Sequence, residues 1–280
     1  MVHDSVERYL SSGAVRHIPE GVVAIVLADD PNGARATCEH LVELGAVAIL
    51  VIGQASDPAL TNERAITGIS DDTSGDASRA RAINTLIDSL AGRWLLWVHA
   101  GEFFYFPFCE TRTIADLTAF LDSERRRLLY TYAFDLYANA LPAPGEDPRD
   151  RELFLDRLGH YAFPSDDGGL DVYGGLAWRF EEHLGGAEHH IGRPALFRAR
   201  KGEHLGIDLR FTALEYGSVA CPWHNNPTGA IVTLRNARRL FGQPGFGAVR
   251  SKLIWRGSTR FEWNSRQLLE LGLIETGQWF

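Results

Sequence analysis

The chain has 280 residues, enough for one large α/β domain or two small ones with a sizeable buried core. An apolar fraction of 45% with scattered charges excludes a disordered chain. A formal net charge of -8 argues against a protein that grips nucleic-acid backbones, since that affinity needs a concentrated basic face.

Cys38, Cys109 and Cys221 are far apart and show no Cys-x-x-Cys spacing, so neither a disulfide framework nor a cysteine zinc site is expected, and reduced cytoplasm is the natural setting. Met1 to Glu20 is polar and mixed in charge, without the apolar stretch of a signal peptide. No run approaches the roughly 18 apolar residues of a membrane span.

The first predicted strand is Val22 to Leu27, a continuous apolar run that suits a strand covered on both faces, and it ends in Ala28-Asp29-Asp30. Cys38, Leu41 and Val42 then recur at helical spacing up to Gly45. A second buried strand, Ala46 to Ile52, completes a βαβ unit. The chain is polar through Gly53 to Gly75, after which Ala80, Ile83, Leu86, Ile87 and Leu90 mark one face of a helix.

Trp94 to Val98 is a third buried strand, followed by His99-Ala100-Gly101-Glu102 and the aromatic stretch Phe103 to Phe106. Ile114, Leu117 and Leu121 predict a helix, and Leu128 to Tyr137 a fourth strand with Asp135 on the face of Leu129, Thr131 and Ala133. From Ala138 to Asp171 the composition turns to Pro, Gly and acids and reads as a long excursion rather than core. Short strands are expected at Leu176 to Phe180, Ala195 to Arg200 and Phe211 to Ala220, and a helix from about Gly229 to Phe241. The expected fold class is α/β: a Rossmann-like, mostly parallel central sheet flanked by helices, with a C-terminal mixed extension. The domain reading is a single domain over 1–280, with halves 20–140 and 141–280.

In open α/β sheets ligands bind beyond the carboxyl ends of the strands. Asp29 and Asp30 follow the first strand, Gln54, Ser56 and Asp57 the second, and His99 to Glu102 the third, so three polar clusters are expected at one sheet edge. Each has a structural alternative: Asp30, for one, serves equally as a helix cap. No Gly-x-x-x-x-Gly-Lys or Gly-x-Gly-x-x-Gly follows the first strand, which argues against kinase-like and dehydrogenase readings.

Trp94-Leu95-Leu96-Trp97-Val98-His99-Ala100-Gly101-Glu102-Phe103-Phe104 resembles the strand of bacterial family 2 glycosyltransferases of the GT-A fold that reads Trp, apolar residues, Asp-x-Asp-Glu-Phe, except at the two aspartates. Val26-Leu27-Ala28-Asp29-Asp30, Glu39-His40-Leu41-Val42-Glu43-Leu44-Gly45-Ala46, Gln54-Ala55-Ser56-Asp57, Ala80-Arg81-Ala82-Ile83-Asn84 and Phe134-Asp135-Leu136-Tyr137 also resemble that family's segments. The resemblance covers roughly residues 20 to 140. It implies a GT-A-like fold, a nucleotide-sugar donor, a glycan or other hydroxyl acceptor and a divalent cation, with Asp29, Asp30, Ser56, Asp57, Arg81 and Asn84 at the nucleotide.

His99 and Gly101 stand where the family has its aspartates, so two negative charges are absent from the expected Mn²⁺ or Mg²⁺ site. Glu102 and His99 form a metal set only with a further ligand, and His224 is the candidate, since such enzymes often recruit a late histidine. His189 and His190 are adjacent on an extended segment and point to opposite faces, so they suit a solvated loop better than one ion. Arg193, Arg198, Arg200 and Lys201 offer cations in place of a metal, or plain surface. Asp135 is the expected base of an inverting transfer, with Glu102, Asp166 and Asp167 as alternatives. Among the aromatics, Trp223 and Trp255 are candidates for a sugar platform.

Three functions follow from these residues. The first is a glycosyltransferase with an altered metal site, and the second a catalytically inactive transferase-like module that binds sugar or a partner. The third is a metal-independent transferase that relies on arginines.

Overall fold

Continuous apolar runs become neighbouring strands in the computed structural model, which describes residues 2–28, 33–53, 65–143, 146–164, 170–185, 190–211 and 226–279. The elements, in chain order, are β1 (Val2–His3), α1 (Val6–Ser11), β2 (Val23–Ala28), α2 (Ala34–Glu43), β3 (Ala48–Gly53), β4 (Ile66–Ile69), α3 (Asp76–Ser89), β5 (Trp94–His99), β6 (Glu102–Tyr105) and α4 (Ile114–Ser123). After these come β7 (Leu128–Asp135), β8 (Phe154–Asp156), β9 (Tyr161–Pro164), β10 (Leu170–Tyr173), α5 (Gly175–Arg179), α6 (Glu181–Leu184), β11 (Gly192–Arg198), β12 (Thr228–Thr233), α7 (Arg235–Phe241), β13 (Ser258–Arg260) and α8 (Ser265–Glu270).

The main sheet has the order β1-β4-β3-β2-β5-β11-β7-β12-β6. Neighbours from β1 through β5 run parallel, as do β7 and β12, whereas β11 on β5 and β6 on β12 are antiparallel. The expected class, a mostly parallel α/β sheet flanked by helices, is the one observed. Two compact units interleave along the chain: Met1–Ala100 with Thr111–Leu129 and Pro194–Val219, and Gly101–Glu110 with Tyr130–Arg193 and Ala220–Phe280.

In the first unit every residue of β2, β3 and β5 is buried, as strands covered on both faces require. Ile25, Leu27, Leu50, Ile52, Leu95 and Trp97 pack with α1 and α3, whose Val6, Tyr9, Ile83, Leu86 and Ile87 are buried among them. The alternate residues Val26, Val51 and Val98 are equally buried on the other face, and α2 packs on β2 and β3. Cys38 and Leu41 lie on the buried face of α2, while Val42 is exposed. Thr113 opens α4 with a capping box, its Oγ1 accepting the Asp116 N–H and its own N–H bonding the Asp116 carboxylate.

The second unit departs from the sequence reading in three places. The expected strand at Leu176 to Phe180 is instead helix α5 and its C-cap Phe180, because Leu176, Ala177 and Phe180 are buried at helical spacing. Gly229 to Phe241 is not one helix: consecutive Ala230, Ile231 and Val232 are all fully buried, which a central strand satisfies and a one-faced helix does not, so β12 precedes α7. The stretch after Ala138 is not mere excursion, since Leu153, Leu155 and Asp156 are buried and β8 pairs with β13. The expected strand at Phe211 to Ala220 falls, beyond Phe211, outside the described residues. Among the described residues no helix is long and apolar enough to cross a membrane.

Candidate active site

The carboxyl ends of the first unit's parallel strands are level. His99 of β5 is opposite Leu27 of β2, Leu27 opposite Ile52 of β3, and Ile52 opposite Ile69 of β4. Gly53 ends β3 at φ +127°, and a Cβ there would meet the Ala28 carbonyl oxygen at 2.5 Å and Thr73 Oγ1 at 2.9 Å, so glycine is required for this close approach. The candidate residues Asp29, Asp30, Ser56 and Asp57 follow these ends directly and lie outside the described residues, as do Asp166, Asp167, His189, Trp223 and His224.

Arg81 and Asn84 are on α3. Arg81 is mostly exposed and reaches Asp71 at 3.4 Å. The Asn84 amide closes a two-bond bridge, donating to the Leu205 carbonyl at 2.9 Å and accepting its N–H at 2.8 Å, which ties α3 to the chain beyond β11. His99 is buried and stands edge-on to Trp97, with centroids 5.7 Å apart.

In the second unit Glu102, Thr233 and Asp135 form one row across β6, β12 and β7. Directly opposed residues share a face, so the two carboxylates project from one side of the sheet, their backbones roughly 10 Å apart at the usual strand spacing. Glu102 is 1% exposed, and both its oxygens accept from Arg193, at 3.1 and 2.6 Å. This buried pair is internally neutral.

Gly101, immediately before it, takes φ +83°, and a Cβ at that position would sit 3.5 Å from the Arg238 guanidinium. A cation of α7 therefore faces position 101. Arg238 was missed in sequence because β12 and α7 read as a single helix.

Asp135, the last residue of β7, accepts the Leu176 N–H at 2.7 Å and the Asn236 amide at 3.4 Å. A Cβ on Gly175 would come 2.5 Å from its Oδ2, so the start of α5 fits the carboxyl only with glycine. Burial pushes its pKa up to about 7, against the lowering effect of those two donors. A carboxyl titrating there is matched to proton transfer near neutrality.

Beside it Asp156 is also buried and accepts from Tyr137 at 2.5 Å, from Trp255 Nε1 at 2.5 Å and from Arg179 at 3.0 and 3.1 Å. Trp255 is thereby occupied, with the Arg179 guanidinium 4.9 Å from its ring centroid. His190 is likewise engaged, by Asp171 at 2.7 Å and the Gly192 carbonyl at 3.0 Å.

Among the described residues no divalent-cation site is complete. Glu102 is closed by Arg193, position 101 contributes no ligand and faces a guanidinium, and no group of three His, Cys, Asp or Glu able to hold a metal occurs among the described residues. His224, the further ligand expected, falls outside them. The expected cationic cluster divides: Arg193 holds Glu102, Arg198 pairs with Asp122 at 2.6 Å and Arg200 with Glu203 at 2.7 Å.

No family model matches this chain. No curated protein matches it either. Among solved structures it is similar to S. aureus TarS 1-349, at 11% identity over 83% of this chain and 68% of that one, TM-score 0.37. It is similar to UTP-bound UGPase from Acinetobacter baumannii at 9% identity over 82% and 97%, TM-score 0.34. A putative glucose-1-phosphate thymidylyltransferase from Bacillus anthracis, in complex with a sucrose, aligns at 8% identity over 64% and 72%, TM-score 0.34.

Proposed function

We propose that this chain is an inverting glycosyltransferase that moves a sugar from a nucleotide-sugar donor to a hydroxyl acceptor, and that an arginine takes the place of the expected Mn²⁺ or Mg²⁺ at the diphosphate. The observation that carries the reading is Arg238 facing the Cβ direction of Gly101 at 3.5 Å. A diphosphate leaving group gathers negative charge as its bond to the sugar breaks, and a fixed guanidinium stabilises that charge as an ion would. Asp135 is the base. The acceptor oxygen attacks the anomeric carbon, the donor's carbon–oxygen bond breaks with its electron pair leaving on the nucleoside diphosphate, and the acceptor's proton passes to the Asp135 carboxylate. The nucleoside falls to Asp29, Asp30, Ser56 and Asp57, with Arg81 and Asn84 on α3, as the resemblance implies.

The test is a donor-hydrolysis screen over nucleotide sugars with Mn²⁺ and with EDTA, paired with melting curves in UDP and GDP. The expected result is turnover that survives EDTA and is lost in Arg238→Ala, while Asp135→Asn loses turnover and keeps nucleotide-induced stabilisation. Strict dependence on Mn²⁺ would overturn the role of the arginine, and no melting shift with either nucleotide would overturn the transferase reading. The burial of Glu102 and Asp135, 1% and 6% exposed, favours a second reading, a non-catalytic sugar- or partner-binding module. Nucleotide stabilisation without hydrolysis of any donor is its signature.

A further inference from the structure

We propose that the cleft of the first unit at the amino-terminal ends of β5 and β7 is a binding site for an oligoanion, a ligand with two or more adjacent phosphate groups. The cleft has a volume of about 500 Å³ and is lined by Arg125, Arg126, Arg127, Arg198, Arg200 and Lys201. Asp122 is its acidic lining residue. Six cations converge here in a chain whose net charge is -8.

Nearby acids leave a surplus of positive charge. Asp122 pairs with Arg198 and Glu203 with Arg200, while Asp88 accepts the Gly202 N–H at 2.8 Å and meets His204 at 3.0 Å. The cleft's own lining sets six cations beside one carboxylate, an excess of one sign that a multivalent anion complements. A single guanidinium after α4 would satisfy that helix's carboxyl end. Arg198, Arg200 and Lys201 come from the end of β11 and have no such role.

The backbone beneath the cations is fixed. Arg126 donates to the Leu121 carbonyl at 2.7 Å, Arg198 to the Arg127 carbonyl at 2.7 Å, Ala199 to the Arg93 carbonyl at 2.8 Å and Gly92 to the Ala199 carbonyl at 2.8 Å. Arg198 Nε adds a bond to the Gly92 carbonyl at 3.1 Å. This frame fixes where the cations leave the backbone, while ordering each exposed side chain on a ligand costs conformational entropy, which the charge attraction has to exceed. Arg125 itself takes φ +56°, the left-handed conformation that ends a helix and that glycine adopts without strain. An arginine there sacrifices local stability and places a guanidinium in the cleft.

This trade supplies the test, on the full chain with sodium triphosphate as probe, read by titration calorimetry and by melting. Triphosphate is expected to bind and to raise the melting temperature. Arg125→Gly is expected to melt higher than the parent without ligand, yet to bind triphosphate more weakly, and Arg125→Ala/Arg126→Ala to lose about tenfold or more in affinity. Arg266→Ala, on the exposed face of α8, is the control and keeps parental affinity. Phosphatidylcholine vesicles with about one third phosphatidic acid separate the two sources of such a ligand. Sedimentation with the vesicles, reversed by triphosphate, assigns the site to a lipid headgroup, and triphosphate binding without sedimentation assigns it to a soluble ligand. No triphosphate binding, or binding that the double variant retains, overturns the proposal.

Discussion

Arg193 closes both carboxylate oxygens of Glu102 at 2.6 and 3.1 Å, and the pair lies almost wholly out of solvent. Removing one partner strands the other's charge in a poorly polarisable site. Arg193→Met is therefore expected to cost about 3–5 kcal/mol, and Glu102→Met/Arg193→Met to recover much of that loss. Urea unfolding of the two variants checks it. A single-variant loss below about 1 kcal/mol would mean that water reaches the pair.

Asp135 makes stability depend on pH in a defined direction. Its carboxyl titrates near 7 in the folded chain against a reference of 3.8, so between those values the folded state holds more protons than the unfolded state. Stability therefore falls as pH rises through that window and levels off above it, by on the order of 2–4 kcal/mol. Asp135→Asn keeps an oxygen for the Leu176 N–H and has no proton to lose, so this slope disappears in the variant. Melting curves between about pH 4 and 8 measure it, and an Asn variant with an unchanged slope would remove the titration from Asp135.

The parts legible in sequence are those fixed by local pattern. β2, β3 and β5 announce themselves because both faces are buried, and the resulting continuous apolar run resembles little else. Asp135 is legible on its strand because alternation carries through from Leu129. Long-range partners left no such trace. Arg193 and Glu102 are 91 residues apart, and nothing local to either specifies the other. Leu176 to Phe180 is ambiguous in sequence because five residues fit a strand or a turn of helix until the burial of Leu176 and Phe180 is known. Arg238 is hidden for a related reason: Gly229 to Phe241 reads as one helix, and only the full burial of Ile231 and Val232 separates strand from helix.

Position 101 tests whether an aspartate beside Arg238 can take a metal ion. The double substitution His99→Asp/Gly101→Asp places a side chain at φ +83°, at a cost of roughly 1–2 kcal/mol, and directs the new carboxylate at Arg238. The expected outcome is an ion pair rather than a cation site, so Mn²⁺ does not stabilise the double variant. Adding Arg238→Ala removes that competitor, and Mn²⁺-dependent stabilisation is expected in the triple variant alone. Melting with and without Mn²⁺ reads the comparison, and ion dependence in the double variant would place the guanidinium away from the site.

Asp156 carries more structural responsibility than its short strand suggests. It accepts from Tyr137, Trp255 and Arg179, and Arg179 in turn donates at 2.8 Å to the carbonyls of Lys252 and Leu253. Burial first, and then the neighbouring Asp156 charge, hold the Tyr137 hydroxyl protonated well above the ordinary tyrosine range, which keeps it a donor. Asp156→Ala leaves Trp255 Nε1 without its acceptor, takes the charged partner from Arg179, which keeps the Lys252 and Leu253 carbonyls, and leaves the Tyr137 hydroxyl only Ser258 Oγ at 2.7 Å, at an expected cost of about 3 kcal/mol. Asp156→Asn keeps one acceptor oxygen and is expected to cost about half as much. Because Arg179 loses its charged partner in both variants, amide exchange should quicken at Leu253 and Ser258, whose N–H groups bond the carbonyls of Arg250 and Trp255. Exchange at Leu86 and Leu95, in the first unit, should follow only the global change in stability, and a uniform rise at all four positions would show that Asp156 acts on the whole fold rather than on this corner of it.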